Sequence, residues 1–240
     1  IAANRWSGRF GGGSGEGPLY AIPAVSETYL LAYRRDLFDQ HQIKVPASLG
    51  ELVAAARAVK DRTGLDGIAA RGTPTASTIA GGFISEAKSF ADGTWDEIDG
   101  ELNPRFHEPV HVTFVEQWIG MLQQSASSRW PSMTGTEARE AFAAGHAGMI
   151  ADSDLFALLY EDPKRSKVAG KVGYALLPPG PGGTTYSALW SWGLGMSRAA
   201  RSKEAAWLFI QWATASRTLL GAAIEYRSLN PSRLSVLSSV

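Results

Sequence analysis

The 240-residue sequence contains no cysteine and only four histidines, so thiolate and imidazole metal ligands are scarce. The absence of cysteine fits an exported protein that avoids disulfides, although many cytosolic proteins also lack the residue. Lys+Arg and Asp+Glu both number 23, which argues against nucleic acid or an anionic membrane surface as the main partner. No apolar run is long enough to span a bilayer, and the opening IAANRWSGRF does not resemble a signal peptide.

Two of the four histidines lie in HEPVH, which fits the H-E-x-x-H pattern of zinc proteases. That pattern needs a helix, on which histidines four residues apart share a face. Proline is best tolerated in the first turn of a helix, so we expect a helix to begin at Pro109. His107 then lies outside the helix and His111 in its first turn, and we expect no zinc to bind. The apolar stripe that predicts this helix is Val110, Phe114, Trp118, Met121 and Leu122.

The remaining chain alternates strand-like and helix-like segments and shows no internal repeat. Strands are predicted for LYAIPAV, TYLLAYR, LDGIAARG, HAGMIAD, GKVGYALLP and ALWSWGLGMS. Helices are predicted after Ser48, which with Glu51 forms a capping-box pattern, over Glu137–Ala144, and after Ser202. This alternation predicts an α/β fold with a largely parallel or mixed sheet. The glycine-rich GGGSGEG is typical of a flexible linker, whether a native surface loop or an engineered joint.

The strand LWSWGLGMS places Trp190 and Trp192 on one face, about 7 Å apart. Two indoles at this spacing form a platform on which the C–H face of a sugar or polyol can stack. The alternative is that both indoles fill the core, which the pattern alone favours because buried aromatic stripes are common.

Three polar side chains are expected at strand ends, where open α/β sheets bind ligands. Asp152 and Asp154 follow the strand in MIADSD, and a carboxylate there suits a vicinal diol. The alternative is that Asp152, Ser153 or Asp154 caps the helix that follows. Arg71 ends IAAR, and its guanidinium can hold a carboxylate or several hydroxyls, unless it is simply solvated.

No motif for catalysis or for a cofactor is recognisable. The sequence lacks G-x-S-x-G, a P-loop and a dinucleotide fingerprint. Glu27 and Asp152 could act as a glycosidase pair, but nothing in the sequence ties them together. We therefore expect neither an enzyme nor a cofactor.

Ordered blocks of the sequence carry a resemblance to a known family. LYAIPAVSETYLLAYRRDLFDQHQIKVPASLGELVAAARAV, AFAAGHAGMIADSD, EDPKRSKVAGKVGYALLPPGPGG, LWSWGLGMS and KEAAWLFIQWAT follow one another from about Leu19 to Ser235. They resemble family 1 of the extracellular solute-binding proteins of ABC importers, and the last blocks resemble most closely the subgroup that binds polyols such as mannitol and sorbitol. His146 stands where that family usually has lysine.

The resemblance implies a type II periplasmic-binding-protein-like α/β fold of two lobes that closes on a sugar or polyol in a cleft. It implies a periplasmic or extracellular, membrane-associated location, a membrane permease as partner, and no nucleic acid. It also implies a set of ligand-binding residues: Glu27, Arg71, Trp95, Asp152, Trp190 and Trp192. Asp154 joins this set because of its position beside Asp152 at the strand end.

One departure from the family affects the lobes. The family has a long segment before LYAIP and a helical segment after NPSRLSV, and neither is in this sequence. We therefore expect one lobe to be incomplete, with residues 1–18 a flexible tail or linker, 19–28 and 187–240 a partial N-terminal lobe with hinge strands, and 29–186 the C-terminal lobe. Two other functions stay open, a glycosidase-like carbohydrate-active enzyme and an interaction domain without a small ligand.

Overall fold

A computed structural model describes residues 2–8, 15–75, 81–93, 106–226 and 230–238. The chain divides into two compact units. Unit 1 is built mainly from Ile1–Glu27 and Leu189–Val240, and unit 2 from Thr28–Ile98 and Asn103–Ala188. Within the described residues, no helix has the length and apolar character needed to cross a membrane.

The sheet of unit 2 has three strands and is antiparallel. Strand β2 (Tyr29–Arg34) lies between β3 (Met149–Ser153) and β4 (Val172–Ala175). Among the described residues, the segment predicted as a strand in LDGIAARG makes only two isolated parallel bridges, Asp66 with Ala147 and Ala69 with Ile150. The expectation of a largely parallel sheet is therefore wrong, while a mixed pattern holds if these bridges are included.

Helices cover this sheet, and their starts follow local sequence rules. Ser48 accepts a hydrogen bond from the Glu51 amide at the start of α2 (Leu49–Thr63), as expected. The carboxylate of Glu51 reaches the amide of Ala47, one residue before the cap, so the second bond of a capping box is displaced. The helices of unit 2 are α1 (Arg35–Gln40), α2 (Leu49–Thr63), α3 (Phe83–Phe90), α4 (Pro109–Ser125), α5 (Gly135–Ala143) and α6 (Ala157–Tyr160).

Alternation along the strands divides the core of unit 2 into two clusters. Leu31 and Met149 belong to a cluster with α2 and α4, whereas their neighbours Ala32 and Ile150 belong to one with α5 and Tyr160. Because successive side chains of a strand point to opposite faces, the clusters occupy the two sides of the sheet. Both faces of the sheet are thus covered.

The helix that begins at Pro109 confirms the interpretation of HEPVH as a helix start. His107 and Glu108 precede the helix, and His111 is completely buried in its first turn. Within the described residues, no group of three metal-ligating side chains is present. That no zinc binds here stays a prediction.

Serine hydroxyls attach the last segment of unit 2 to its neighbours. Ser85 and Ser89 of α3 accept hydrogen bonds from the backbone amides of Ala188 and Tyr186, each at 2.9 Å. The hydroxyl of Ser187 accepts from the amide of Tyr29 at 2.9 Å and donates to the carbonyl of the same residue at 3.1 Å. Side chains here take the place of the backbone ladder that would hold a strand.

Unit 1 contains a two-stranded antiparallel ribbon of β1 (Ile22–Glu27) and β5 (Trp190–Leu194). Its helices are α7 (Lys203–Ala213), α8 (Ser216–Tyr226) and α9 (Leu234–Leu237). Ser202 was expected to cap α7, but among the described residues its side chain makes no capping bond. The start of the chain, expected to be a flexible tail, is attached in part. Asn4 donates to Ser191 at 2.7 Å, and Arg5 forms a bridge with Leu19.

The hydrophobic core of unit 1 is small. Among the described residues, its buried hydrophobic side chains are Ile210, Leu219 and Val236. Because this lobe is incomplete, the apolar stripe of α7 was expected to be exposed, and Leu208, Phe209 and Trp212 are each more than half exposed. A contiguous apolar face of this kind promotes association with other polypeptides.

We therefore expect the isolated chain to self-associate through α7. Phe209→Glu should shift the protein towards monomer, because a charge on this face must be desolvated when copies meet. Size-exclusion chromatography with light scattering over a range of concentrations measures the effect. Glu204→Gln, at an exposed position of the same helix, is the control. A wild-type protein that is monomeric at every concentration would contradict the prediction.

A buried carboxyl group in α3 links the stability of unit 2 to pH. Glu86 is almost completely buried, and its Oε2 has no hydrogen-bond partner among the described residues. Burial raises the pKa of Glu86 from 4.5 to about 8, because desolvation disfavours the charged form. The folded protein therefore holds this proton more tightly than the unfolded chain does.

The free energy of unfolding should consequently fall as the pH rises from about 5 to 8, where the unfolded chain loses the proton and the folded chain keeps it. Glu86→Gln should remove this slope and stabilise the protein by up to about 3 kcal/mol at pH 7, with little effect near pH 4. Urea unfolding at several pH values tests this, with the exposed Glu116→Gln as control. Equal slopes for wild type and Glu86→Gln would show that Glu86 ionises normally.

Candidate functional site

The candidate site in unit 2 centres on Asp152, at the carboxyl end of β3. Its Oδ1 accepts a very short hydrogen bond from Nη2 of Arg71 and another, at 2.8 Å, from the amide of Ser153. Its Oδ2 accepts from Nη1 of Arg139 at 3.4 Å. The side chain of Asp152 is 2% exposed, and those of Arg71 and Arg139 are 9% and 15% exposed. One nearly enclosed carboxylate thus joins two guanidinium groups.

A glycine and an aromatic ring position the guanidinium groups of the two arginines. A Cβ on Gly135, at the start of α5, would lie 2.9 Å from Nη1 of Arg71 and 3.1 Å from Nη1 of Arg139. The guanidinium carbon of Arg139 lies 3.8 Å from the ring centroid of Phe156, a cation–π contact. Nη2 of Arg139 donates to the hydroxyl of Thr136 at 3.3 Å.

Burial and neighbouring charges change the pKa values of Asp152 and Tyr160. Burial raises the pKa of Asp152, while the charges of Arg71 and Arg139 and the Ser153 amide oppose that rise. Burial and the nearby charge of Asp152 raise the pKa of Tyr160 above its ordinary value of 10. The hydroxyl of Tyr160 is buried and has no hydrogen-bond partner among the described residues. Tyr160 is therefore a neutral phenol at physiological pH.

The side chain of Asp154 has a structural role in this arrangement. Its two oxygens accept hydrogen bonds from the amide and the hydroxyl of Thr28, each at 3.0 Å, and its own amide donates to the carbonyl of Thr28. Ser153 caps the 3-10 turn Asp154–Phe156 by accepting from the amide of Leu155. The capping alternative considered for MIADSD thus applies to Ser153.

Unit 1 contributes an aromatic surface on β5. Trp190 and Trp192 are 42% and 58% exposed, so the alternative that they fill a core is wrong. In the ribbon, Glu27 lies directly opposite Trp190 and diagonal to Trp192. Nε1 of Trp192 donates to Oε1 of the largely buried Glu27 at 2.5 Å. This bond fixes the indole while leaving more than half of its surface accessible.

The structure brings the sequence-predicted residues together in two groups. Arg71 and Asp152 meet in unit 2, and Glu27, Trp190 and Trp192 meet in unit 1. Trp95 lies outside the described residues. Arg139 and Phe156 were missed, because an arginine in a helix is usually solvated.

The family of bacterial extracellular solute-binding proteins matches residues 2–218. The chain is 31% identical over 241 residues to an erythritol/L-threitol-binding protein of Mycolicibacterium smegmatis, covering 99% of this chain and 50% of that protein. It is 28% identical over 204 residues to a mannitol-binding protein of Pseudomonas aeruginosa, covering 83% of this chain and 46% of that protein.

Two solved structures share the fold at comparable identity. A solute-binding protein of Agrobacterium vitis with bound D-mannitol has a TM-score of 0.77 and 28% identity, over 93% of this chain and 54% of that one. A maltose-bound protein of T. maritima has a TM-score of 0.81 and 26% identity, over 92% of this chain and 56% of that one.

The α/β fold of the periplasmic solute-binding proteins is thereby confirmed, and the chain belongs to the bacterial extracellular solute-binding protein family. That family consists of binding proteins rather than enzymes. The chain spans about half the length of the curated relatives it matches.

The bond between Glu27 and Trp192 leads to a prediction about stability. A hydrogen bond to a carboxylate contributes about 1.5–3 kcal/mol when buried, and less where one partner is exposed, so we expect a coupling of about 1 kcal/mol. A double-mutant cycle of Glu27→Ala and Trp192→Phe in urea unfolding measures it. Glu27→Gln keeps an acceptor and should retain most of the coupling, and Glu204→Ala is the control. Additive effects would contradict the pairing.

Proposed function

We propose that this chain is the substrate-binding part of an ABC importer, and that it captures a sugar or polyol outside the cytoplasm and delivers it to a membrane permease. The observation that carries the proposal is the similarity, over 99% of the chain, to a protein named for binding erythritol and L-threitol. The D-mannitol in the Agrobacterium vitis structure supports the same ligand class. Periplasmic or extracellular location and association with the membrane are part of the proposal.

The chemistry of the two groups of side chains supports such a ligand. A polyol presents hydroxyls, which need donors and acceptors, and C–H faces, which stack on aromatic rings. Unit 2 offers the guanidinium–carboxylate cluster around Asp152, and unit 1 offers the accessible indoles beside Glu27. We assign ligand binding to these groups, with Trp95 and Asp154 as the remaining members of the proposed set. Asp154 would act by holding Thr28 in place.

Features of Asp152 favour binding over glycoside hydrolysis. A glycosidase needs one carboxyl group to give a proton and another to act as nucleophile or base. Both oxygens of Asp152 accept hydrogen bonds from protein donors, and its side chain is almost fully enclosed. Such a carboxylate is poorly placed to exchange protons with a substrate.

Calorimetric titration with erythritol, L-threitol, D-mannitol and maltose tests the proposal. We expect reversible binding of at least one polyol, and Trp190→Ala should weaken it by about 1–3 kcal/mol, the scale of a buried aromatic contact. Trp207→Ala is a matched control, since Trp207 is exposed to a similar extent on α7 of the same unit.

Two results would contradict this function. The first is the absence of binding to every polyol and sugar by a folded protein. The second is turnover of aryl glycosides that is lost in Asp152→Asn, which would establish a carbohydrate-active enzyme instead.

A further inference from the structure

The donors that surround Asp152 leave its carboxylate little capacity to contact anything else. Oδ1 already accepts from Arg71 and from the Ser153 amide, and Oδ2 accepts from Arg139. With a side chain 2% exposed, Asp152 offers almost no surface to a small molecule. A carboxylate in this state orients the groups that bind it more readily than it binds a ligand directly.

Arg139 has the properties that direct contact requires. Its guanidinium plane is fixed by Phe156 on one face, by Asp152 at Nη1 and by Thr136 at Nη2. The group has five N–H donors, of which the described contacts use two. Its side chain is 15% exposed, the largest value in the cluster, so part of it remains accessible. A guanidinium held in this way has already lost the conformational freedom that binding would otherwise cost.

We propose that Arg139 is a ligand-contacting and specificity-determining residue, and that Asp152 is a positioning residue that holds the arginines. This inference rests on the proposed function and specifies its chemistry. Unit 2 would recognise ligand oxygens as acceptors of N–H bonds, rather than ligand hydroxyls as donors to a carboxylate.

The inference has a consequence for the class of ligand. A carboxylate that faced the ligand would repel a second carboxylate strongly at low dielectric. Guanidinium N–H groups instead donate to a hydroxyl oxygen or a carboxylate oxygen, and the bond to a carboxylate is charge-assisted. The site should therefore accept aldonates, the acids that correspond to polyols, at least as well as the neutral polyols.

Titration with erythritol and with erythronate, which share a four-carbon backbone, tests this directly. We expect the unmodified protein to bind erythronate at least as tightly as erythritol. Arg139→Gln should weaken erythronate about tenfold or more and erythritol less, which lowers the ratio of the two affinities. Arg129→Gln, at an exposed arginine that contacts Glu137, should leave the ratio unchanged.

Further variants separate a direct role from a structural one. Arg139→Lys keeps the charge but loses the planar fork, and should give a ratio between those of wild type and Arg139→Gln. Circular dichroism of each variant establishes that it is folded. If Arg139→Gln fails to fold, the ratio for folded Arg139→Lys tests the role of Arg139, and rejection of erythronate by the unmodified protein still overturns the inference.

The outcomes distinguish this inference from the proposed function. Binding of erythritol together with rejection of erythronate by about tenfold or more would overturn the inference and leave the proposed function intact. So would an unchanged ratio in folded Arg139→Gln. Failure to bind any polyol, sugar or aldonate would overturn the proposed function itself.

Discussion

A single carboxylate, almost wholly removed from water, organises the end of the sheet in unit 2. Asp152 lies at the end of β3. Its carboxylate binds Arg71, from a segment distant in the sequence, and Arg139, from α5. Two guanidinium groups could not lie this close in a dry environment without an anion between them. The two arginines also depend on Gly135 and Phe156. Gly135 leaves room for both guanidinium groups, and the ring of Phe156 contacts the guanidinium group of Arg139.

Unit 1 contributes a different kind of constraint. The ribbon of β1 and β5 is too narrow to form a core, and an isolated two-stranded sheet is only marginally stable. Side chains add to its order, with Glu27 fixing Trp192 and Asn4 joining Ser191, and backbone bonds join Ser26 to Asn230 and Ser232 to Ala24. The two groups of residues therefore differ in kind: the group in unit 2 consists of buried charges, and the group in unit 1 presents accessible aromatic surface.

Local signals in the sequence predicted local structure well. Ser48 and Pro109 marked helix starts because capping and proline geometry depend on neighbours within a turn. Periodicity also identified the stripe of α7, but it could not say whether anything covers that stripe, since burial depends on residues far away in the sequence. The same limit applies to Trp190 and Trp192, whose alternation fits a core and a platform equally well. The pairing of Asp152 with Arg139 needs tertiary structure, and no spacing rule encodes it.

The serine attachments of residues 186–188 have a consequence for local opening. Regular strands are released only when a cooperative ladder breaks, whereas this segment is held by a few bonds to rotatable hydroxyls. Each such bond contributes about 1 kcal/mol, so detachment of the segment costs far less than unfolding of unit 2. Its amides should exchange with solvent through brief excursions in which β2 and β3 stay intact. The chain that leads directly into β5 should thus be released by rotation of a few serine hydroxyls, without loss of the fold.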